Sequence, residues 1–188
     1  NLLVNGSTGS IYGPRVDRPS RETDPVKPQG QYALARLVQE QLIDFLCGQR
    51  GTRSAHLRYF HANTPTSGLL RRLAEQVLAG EALEPGPEQR VQAIGLGDFV
   101  RCTAGAVEHL GPAPCVVNVC HPRIWTLGEL ARRIRDELGR GDVVFRERGG
   151  RDQSVWGDTS RMVQRFGEPE VDLDELLRET SAQVLSAR

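Results

Sequence analysis

The sequence lacks several things at once. Its 24 basic and 24 acidic side chains cancel, so neither sign is in excess to grip a nucleic acid or an anionic membrane. No apolar run reaches the roughly 20 residues that a membrane-spanning helix needs, and no charged-then-apolar leader opens the chain. There is no internal repeat and no low-complexity segment. The four cysteines, Cys47, Cys102, Cys115 and Cys120, show no C-x-x-C spacing. They are expected to be reduced, mostly buried thiols of a cytoplasmic protein, without a metal site. An initiator Met is also missing, and the first residues already read as a strand, so further sequence is expected upstream of Asn1.

What is present suits one large domain or two small ones, with 188 residues to bury a core. "NLLV" predicts a buried strand that gives way to a polar, Gly-rich turn, "NGSTGS". Residues 13–30 hold four prolines and many charges and should form a surface excursion. The helix expected over 30–47 carries Leu34, Leu37, Val38, Leu42, Phe45 and Leu46 as its apolar stripe, with Gly48 as its cap. Strands are expected over 53–60, "RVQAIGL" (90–96), "CVVNVC" (115–120) and "DVVFRE" (142–147). Helices are expected over 67–80, from "GDFVRC" onward, from Thr126 to about Leu138, over "DTSRMVQRFG", and from Asp172 to the end. Thr126 and Glu129 spell a capping box. Strands alternating with helices argue for an α/β fold with a mainly parallel sheet.

Four stretches then occur in order: "NGSTGSIYG", "YALAR", "LRYFHANTP" and "GGRDQSVWGDTSR". Together with "VVNVCHPRIWTLGELARRI", this set resembles the extended short-chain dehydrogenase/reductase superfamily, in particular its nucleotide-sugar epimerases and dehydratases of the UDP-galactose 4-epimerase type. The resemblance implies the C-terminal part of a Rossmann-like parallel sheet with a small α/β substrate-binding lobe. Residues 1–60 and 97–122 would belong to the sheet domain, and 61–96 and 123–188 to the lobe.

Site roles follow from the same resemblance. Thr8 falls on the family's catalytic hydroxyl, and Ser7 lies beside it, near the sugar. Tyr32 falls on the general acid/base; a free phenol titrates near 10 and needs a nearby cation to act as a base. One turn later the family has lysine, which also reaches the nicotinamide ribose, and here Arg36 stands there. Arginine brings charge but is planar, bulkier and never a neutral proton relay. His61 replaces an Asn that contacts the sugar or its diphosphate. Arg148 falls on a diphosphate-binding arginine whose fork suits phosphate oxygens, and Arg151 stands where some relatives carry an acidic ribose contact. Arg90 lies one place from a second phosphate-binding arginine, a slip that on a strand turns it to the other face.

The implied cofactor is NAD or NADP, yet the family's G-x-x-G-x-x-G turn, which opens the helix that holds the pyrophosphate, does not occur in this chain. That stretch would lie in an upstream segment of about a hundred residues, a domain's worth. The expected function is hydride transfer at a sugar carbon of a nucleotide sugar, in a possible homodimer built on the 30–48 helix. The rivals are a sugar ketoreductase and a degenerate, non-catalytic family member acting as a binding or partner module.

Overall fold

The computed structural model describes every residue except Val16, Pro85, 110–114, 147–153 and Arg188, and leaves out the side chain of His109. In chain order the elements are β1 (Leu2–Thr8), a 3-10 turn (Gly9–Tyr12), α1 (Gly30–Gln49), β2 (Arg53–Tyr59), β3 (Ala62–Asn63), α2 (Leu69–Ala79), β4 (Ala82–Leu83), β5 (Arg90–Val91), β6 (Ile94–Gly95) and α3 (Leu96–His109). There follow β7 (Cys115–Val119), β8 (Trp125–Thr126), α4 (Leu127–Leu138), β9 (Val144–Phe145), α5 (Ser160–Phe166) and α6 (Leu173–Ser186).

Among the described residues the main sheet is parallel, in the order β1-β2-β7. β1 pairs with β2 from Leu2↔Arg53 to Thr8↔Tyr59, and β2 with β7 from Ala55↔Cys115 to Tyr59↔Val119. The expected α/β class and parallel sheet are therefore present. "NGST" differs from its expectation: it continues β1 instead of turning. Turn-forming residues are overridden here because each one gains a ladder partner on β2, and buried Asn5 also hydrogen-bonds buried His56.

The two faces of this sheet differ in chemistry because side chains alternate along a strand. Ala55, Leu57, Tyr59, Val117 and Val119 point to one side and form a core with Cys102, Ala106 and Met162 of α3 and α5. Ser54, His56 and Arg58 point to the other side, toward α1. The apolar part of the α1 face turned to the sheet is small, Ala33 and Cys47. Between the helix and the sheet lies a buried ion pair: Arg58 Nε donates to Glu40 Oε1 at 3.1 Å and Nη2 to Oε2 at 2.7 Å. His56, in turn, joins Asp44 at 2.9 Å, and Ser54 donates to the same oxygen at 2.5 Å.

The helix expected over 30–47 thus exists, but its phase reverses the simplest use of its stripe. Ala33, Glu40 and Cys47 are buried, while Leu34, Val38, Leu42, Phe45 and Leu46 are exposed, Phe45 at 62%. Gly48 lies within the helix and Arg50 caps it. A second core gathers Leu70, Leu73, Val77, Leu83, Val91, Leu130, Ile134 and Leu177, uniting α2, β4, β5, α4 and α6. The capping box stands as expected: Thr126 Oγ1 accepts from the Glu129 N–H at 3.1 Å, and Glu129 Oε2 from the Thr126 N–H at 2.8 Å. The expected single strand "RVQAIGL" is two short ones, β5 antiparallel to β8 and β6 parallel to β3. The strand expected over 142–147 shrinks to Val144–Phe145, parallel to β4. α5 packs on β7 and α3, on the sheet side of the molecule.

Candidate active site

The carboxyl ends of β1 and β2 open into a cleft of about 600 Å³. Its walls come from Gly6, Ser7, Thr8 and Ser10, from Tyr32 and Arg36 of α1, from Tyr59 to Ala62, and from Gln89, Phe99 and Val155. An open α/β sheet places its ligands at this edge, beyond the strand ends. Five residues singled out in the sequence meet here: Ser7, Thr8, Tyr32, Arg36 and His61.

Thr8 ends β1 and caps the 3-10 turn: its Oγ1 accepts from the Ser10 N–H and donates to Ser10 Oγ, both at 3.2 Å. That local use fixes the hydroxyl at the cleft wall. Gly9 follows because the Phe60 ring presses on the backbone; a Cβ there would sit 2.3 Å from the ring. Ser7 is buried, and its hydroxyl oxygen has no hydrogen-bond partner among the described residues.

The protein has three tyrosines, and their settings differ. Tyr12 donates to Asn118 Oδ1 and accepts from Arg58 Nη1, both at 2.8 Å. Burial pushes its phenol up to about 12, the Arg58 cation pulling the other way. Tyr59 stacks on Phe99 with centroids 3.9 Å apart, and burial pushes it up to about 12, against the hydrogen bond to Thr103. Both are locked and neutral. Tyr32, by contrast, is 60% exposed and lines the cleft.

Arg36 lies one turn along, its guanidinium carbon 5.5 Å from the centre of the Tyr32 ring. Its Nη1 also donates to Gln39 Oε1 at 3.0 Å and, at 3.4 Å, to the carbonyl of Gly6. The arginine therefore ties α1 to β1 while keeping its charge beside the phenol. Eight residues past Tyr32, Glu40 grips Arg58, which sets the rotation of α1 and hence the direction of Tyr32.

His61 holds a left-handed backbone, φ 41°, unusual for a residue with a side chain. Its carbonyl accepts from the Ile94 N–H at 3.1 Å and from the amide of buried Asn63. Burial against its neighbours and the Arg72 guanidinium push its pKa down to about 4. The residue as a whole stays exposed, which argues for a smaller depression; in either case the ring is neutral at pH 7.

The expected phosphate ligands are placed differently. Arg90 does not line the cleft; its guanidinium sits over the Trp156 ring at 5.1 Å, on the other face of its strand. Arg148 and Arg151 lie outside the described residues. Among the described residues no cluster of His, Cys, Asp or Glu could hold a metal ion, and no helix is long and apolar enough to cross a membrane.

Residues 1–120 match the model of the family described as "NAD dependent epimerase/dehydratase family". The chain belongs to that family. No curated protein matches it. Its fold is that of UDP-glucose 4-epimerase from Thermotoga maritima, 24% identical with a TM-score of 0.83, over 99% of this chain and 64% of that one. It is similar also to UDP-glucuronic acid 4-epimerase from Bacillus cereus in complex with NAD (19%, 0.86; 100% of this chain and 62% of that one). A third likeness is to RMD from Pseudomonas aeruginosa complexed with NADPH (20%, 0.85; 100% and 66%). The chain thus spans about 64% of the first of these family members.

Sequence reasoning missed the residues that tie α1 and the 3-10 turn to the sheet beside the cleft: Glu40, His56, Arg58 and Tyr12. Arg58 and Tyr12 stood in the quoted motifs "LRYF" and "IYG", but their partners are 18 and 106 residues away. Gln89 and Phe99, which complete the cleft, carried no motif signal.

Proposed function

We propose that this chain forms the substrate-handling part of an NAD(P)-dependent enzyme that epimerises nucleotide sugars by hydride transfer at a sugar carbon. The observation that supports this is the meeting of Thr8, Tyr32 and Arg36 at one wall of the cleft. The Tyr32 hydroxyl and the Arg36 guanidinium suit the hydroxyls of a nicotinamide ribose, so the donor set fits the family cofactor on that side. A cradle for the pyrophosphate has no counterpart in the sequence of this chain. When bound, that cofactor would supply hydride-transfer chemistry at the sugar carbon, and Tyr32 and Arg36 would hold its ribose.

The chain's own residues handle the proton. Thr8 orients the reacting sugar hydroxyl toward Tyr32, which takes its proton at the phenol oxygen and later gives it back. Arg36 supports the phenolate by charge. Ser7 and His61 contact the sugar, and Arg148 and Arg151 bind the diphosphate, with Arg90 held in reserve by its stack on Trp156. Among the described residues lining the cleft there is no carboxylate, which favours epimerisation or ketoreduction over water elimination. Residues 1–60 and 97–122 form the sheet domain and 61–96 and 123–188 the lobe, α5 packing across the division. The exposed ribbon Leu34, Val38, Leu42 and Phe45 joins two copies in a homodimer, and the free cysteines fit a cytoplasmic setting.

One observation favours the second reading, a non-catalytic binding module: Arg36 is engaged with Gly6 and Gln39. The experiment is to incubate the full-length protein with NAD and UDP-glucose and follow the C4 configuration by NMR. Turnover supports the enzyme. Binding without turnover supports the module.

A further inference from the structure

Arg36 is the one charged side chain among the described residues that line the cleft. Tyr59 and His61, which share the wall, are neutral at pH 7: burial pushes the phenol up to about 12 and the imidazole, helped by the Arg72 guanidinium, down to about 4. Where that single cation sits therefore decides the field at the Tyr32 phenol. A guanidinium on a long stem needs acceptors to hold it in one place. Among the described residues Arg36 has two, both neutral and both reached from Nη1: the Gly6 carbonyl at 3.4 Å and, closer, Gln39 Oε1 at 3.0 Å. Gln39 lies three residues along α1, on the same face, and does not itself line the cleft. The charge is thus held without being cancelled.

We propose that Gln39 is a positioning residue whose amide oxygen holds the Arg36 guanidinium beside the Tyr32 ring, so that an arginine can support the proton transfer. This rests on the reading above, in which Tyr32 moves the proton and Arg36 supplies the charge. The guanidinium carbon stands 5.5 Å from the ring centre. The Gly6 carbonyl alone, at 3.4 Å, is a long contact that leaves the fork free to swing toward solvent. A glutamine suits this post better than a glutamate. Both accept the same hydrogen bond, but a carboxylate sets a negative charge against Arg36 and repels a phenolate. Both contacts use Nη1, and among the described residues Nε and Nη2 keep their donors, so the anchoring does not consume the fork.

The test uses the full-length protein with NAD and UDP-glucose, as wild type, Gln39→Leu, Gln39→Glu, Arg36→Lys, and Arg36→Lys with Gln39→Leu. Turnover is followed against pH, UDP-glucose affinity by calorimetry and the thermal midpoint by circular dichroism. At pH 7 kcat falls in the order wild type, Gln39→Leu, Gln39→Glu, the last by about three- to tenfold, the effect of offsetting one charge at this range in a partly exposed site. The acidic limb of the profile moves to higher pH in both variants, because a less supported phenolate forms later. UDP-glucose affinity holds, since Gln39 lies outside the cleft lining, and the midpoints stay level, since the residue is exposed on its helix. A merely structural role ranks the variants the other way, because Gln39→Glu keeps the hydrogen bond and gains an ion pair with Arg36. In the Arg36→Lys background no fork remains to be held, and Gln39→Leu changes nothing further. Turnover of Gln39→Glu equal to wild type, a gain in Gln39→Leu, or the same loss in the Arg36→Lys background overturns the assignment and leaves the nucleotide-sugar reading in place. A wild-type protein that does not turn over the sugar overturns that reading, and this assignment falls with it.

Discussion

Glu40→Ala removes one half of the ion pair that seats α1 on the sheet. Glu40 is 3% exposed and Arg58 5%, so the arginine left behind keeps its charge away from water with, among the described residues, Tyr12 alone to receive it. Breaking a buried pair from one side costs about 3–5 kcal/mol, far more than a surface pair, because an uncompensated charge remains. For a chain of this length each kcal/mol moves the thermal midpoint by about 2–4 °C, so the expected drop is roughly 6–20 °C. Glu40→Leu combined with Arg58→Met removes both charges and recovers most of that loss. Urea denaturation of the three proteins at pH 7, followed by circular dichroism, measures the effect. A single-variant loss below about 1 kcal/mol would mean that the pair is solvated and weak like an exposed one, and another contact would then have to orient Tyr32. A double variant as unstable as Glu40→Ala would equally refute the ion pair as the seat of α1.

Two further perturbations read other parts of the structure. Asp98 is buried at the start of α3; burial pushes its carboxyl up, but the Glu170 and Val171 N–H groups and Arg101 outweigh that and hold it below the usual carboxylate range. A depressed folded pKa contributes stability above the unfolded value near 3.9 that is lost as the pH falls through the folded value. Asp98→Asn should therefore be less stable than wild type at pH 7, with the gap closing below about pH 4 in pH-dependent urea melts; a gap constant with pH contradicts this. On the outer face of α1, Val38→Asp with Leu42→Asp should convert a dimer to a monomer in sedimentation velocity without lowering the monomer's stability, since both side chains are exposed. A wild-type monomer would dismiss the proposed interface.

How far the sequence carried can be judged element by element. α1 was legible as a helix because its apolar residues recur at helical spacing, yet their outward direction was not. The inward face is set by Glu40, whose partner Arg58 lies on a strand and is chosen by packing, not by local pattern. "NGST" reads as a turn from its residue types and becomes strand because β2 offers a full parallel ladder. The Thr126 capping box and the Gly80 cap were legible because they are local, whereas Gly48, read the same way, lies inside α1. At the site, Thr8, Tyr32 and Arg36 were legible from ordered motifs, and the structure brings them to one cleft. Arg90, doubtful in the sequence because of its one-place slip, has its guanidinium over the Trp156 ring. Gln89 left no trace in the sequence, since its place in the cleft wall is visible only once its surroundings are built.

The central claim, that Tyr32 transfers the proton with Arg36 supplying charge, is tested most directly by turnover of a UDP-hexose in the full-length protein. Three forms are compared: wild type, Tyr32→Phe and Arg36→Lys. Tyr32→Phe leaves the fold intact, the ring being largely exposed, and should abolish turnover while nucleotide-sugar affinity stays near the wild-type value. Arg36→Lys should keep or raise turnover, since a compact ammonium stabilises a phenolate at close range. Wild-type turnover in Tyr32→Phe would contradict the claim, and the pair in "YALAR" would then be scaffold for a binding module.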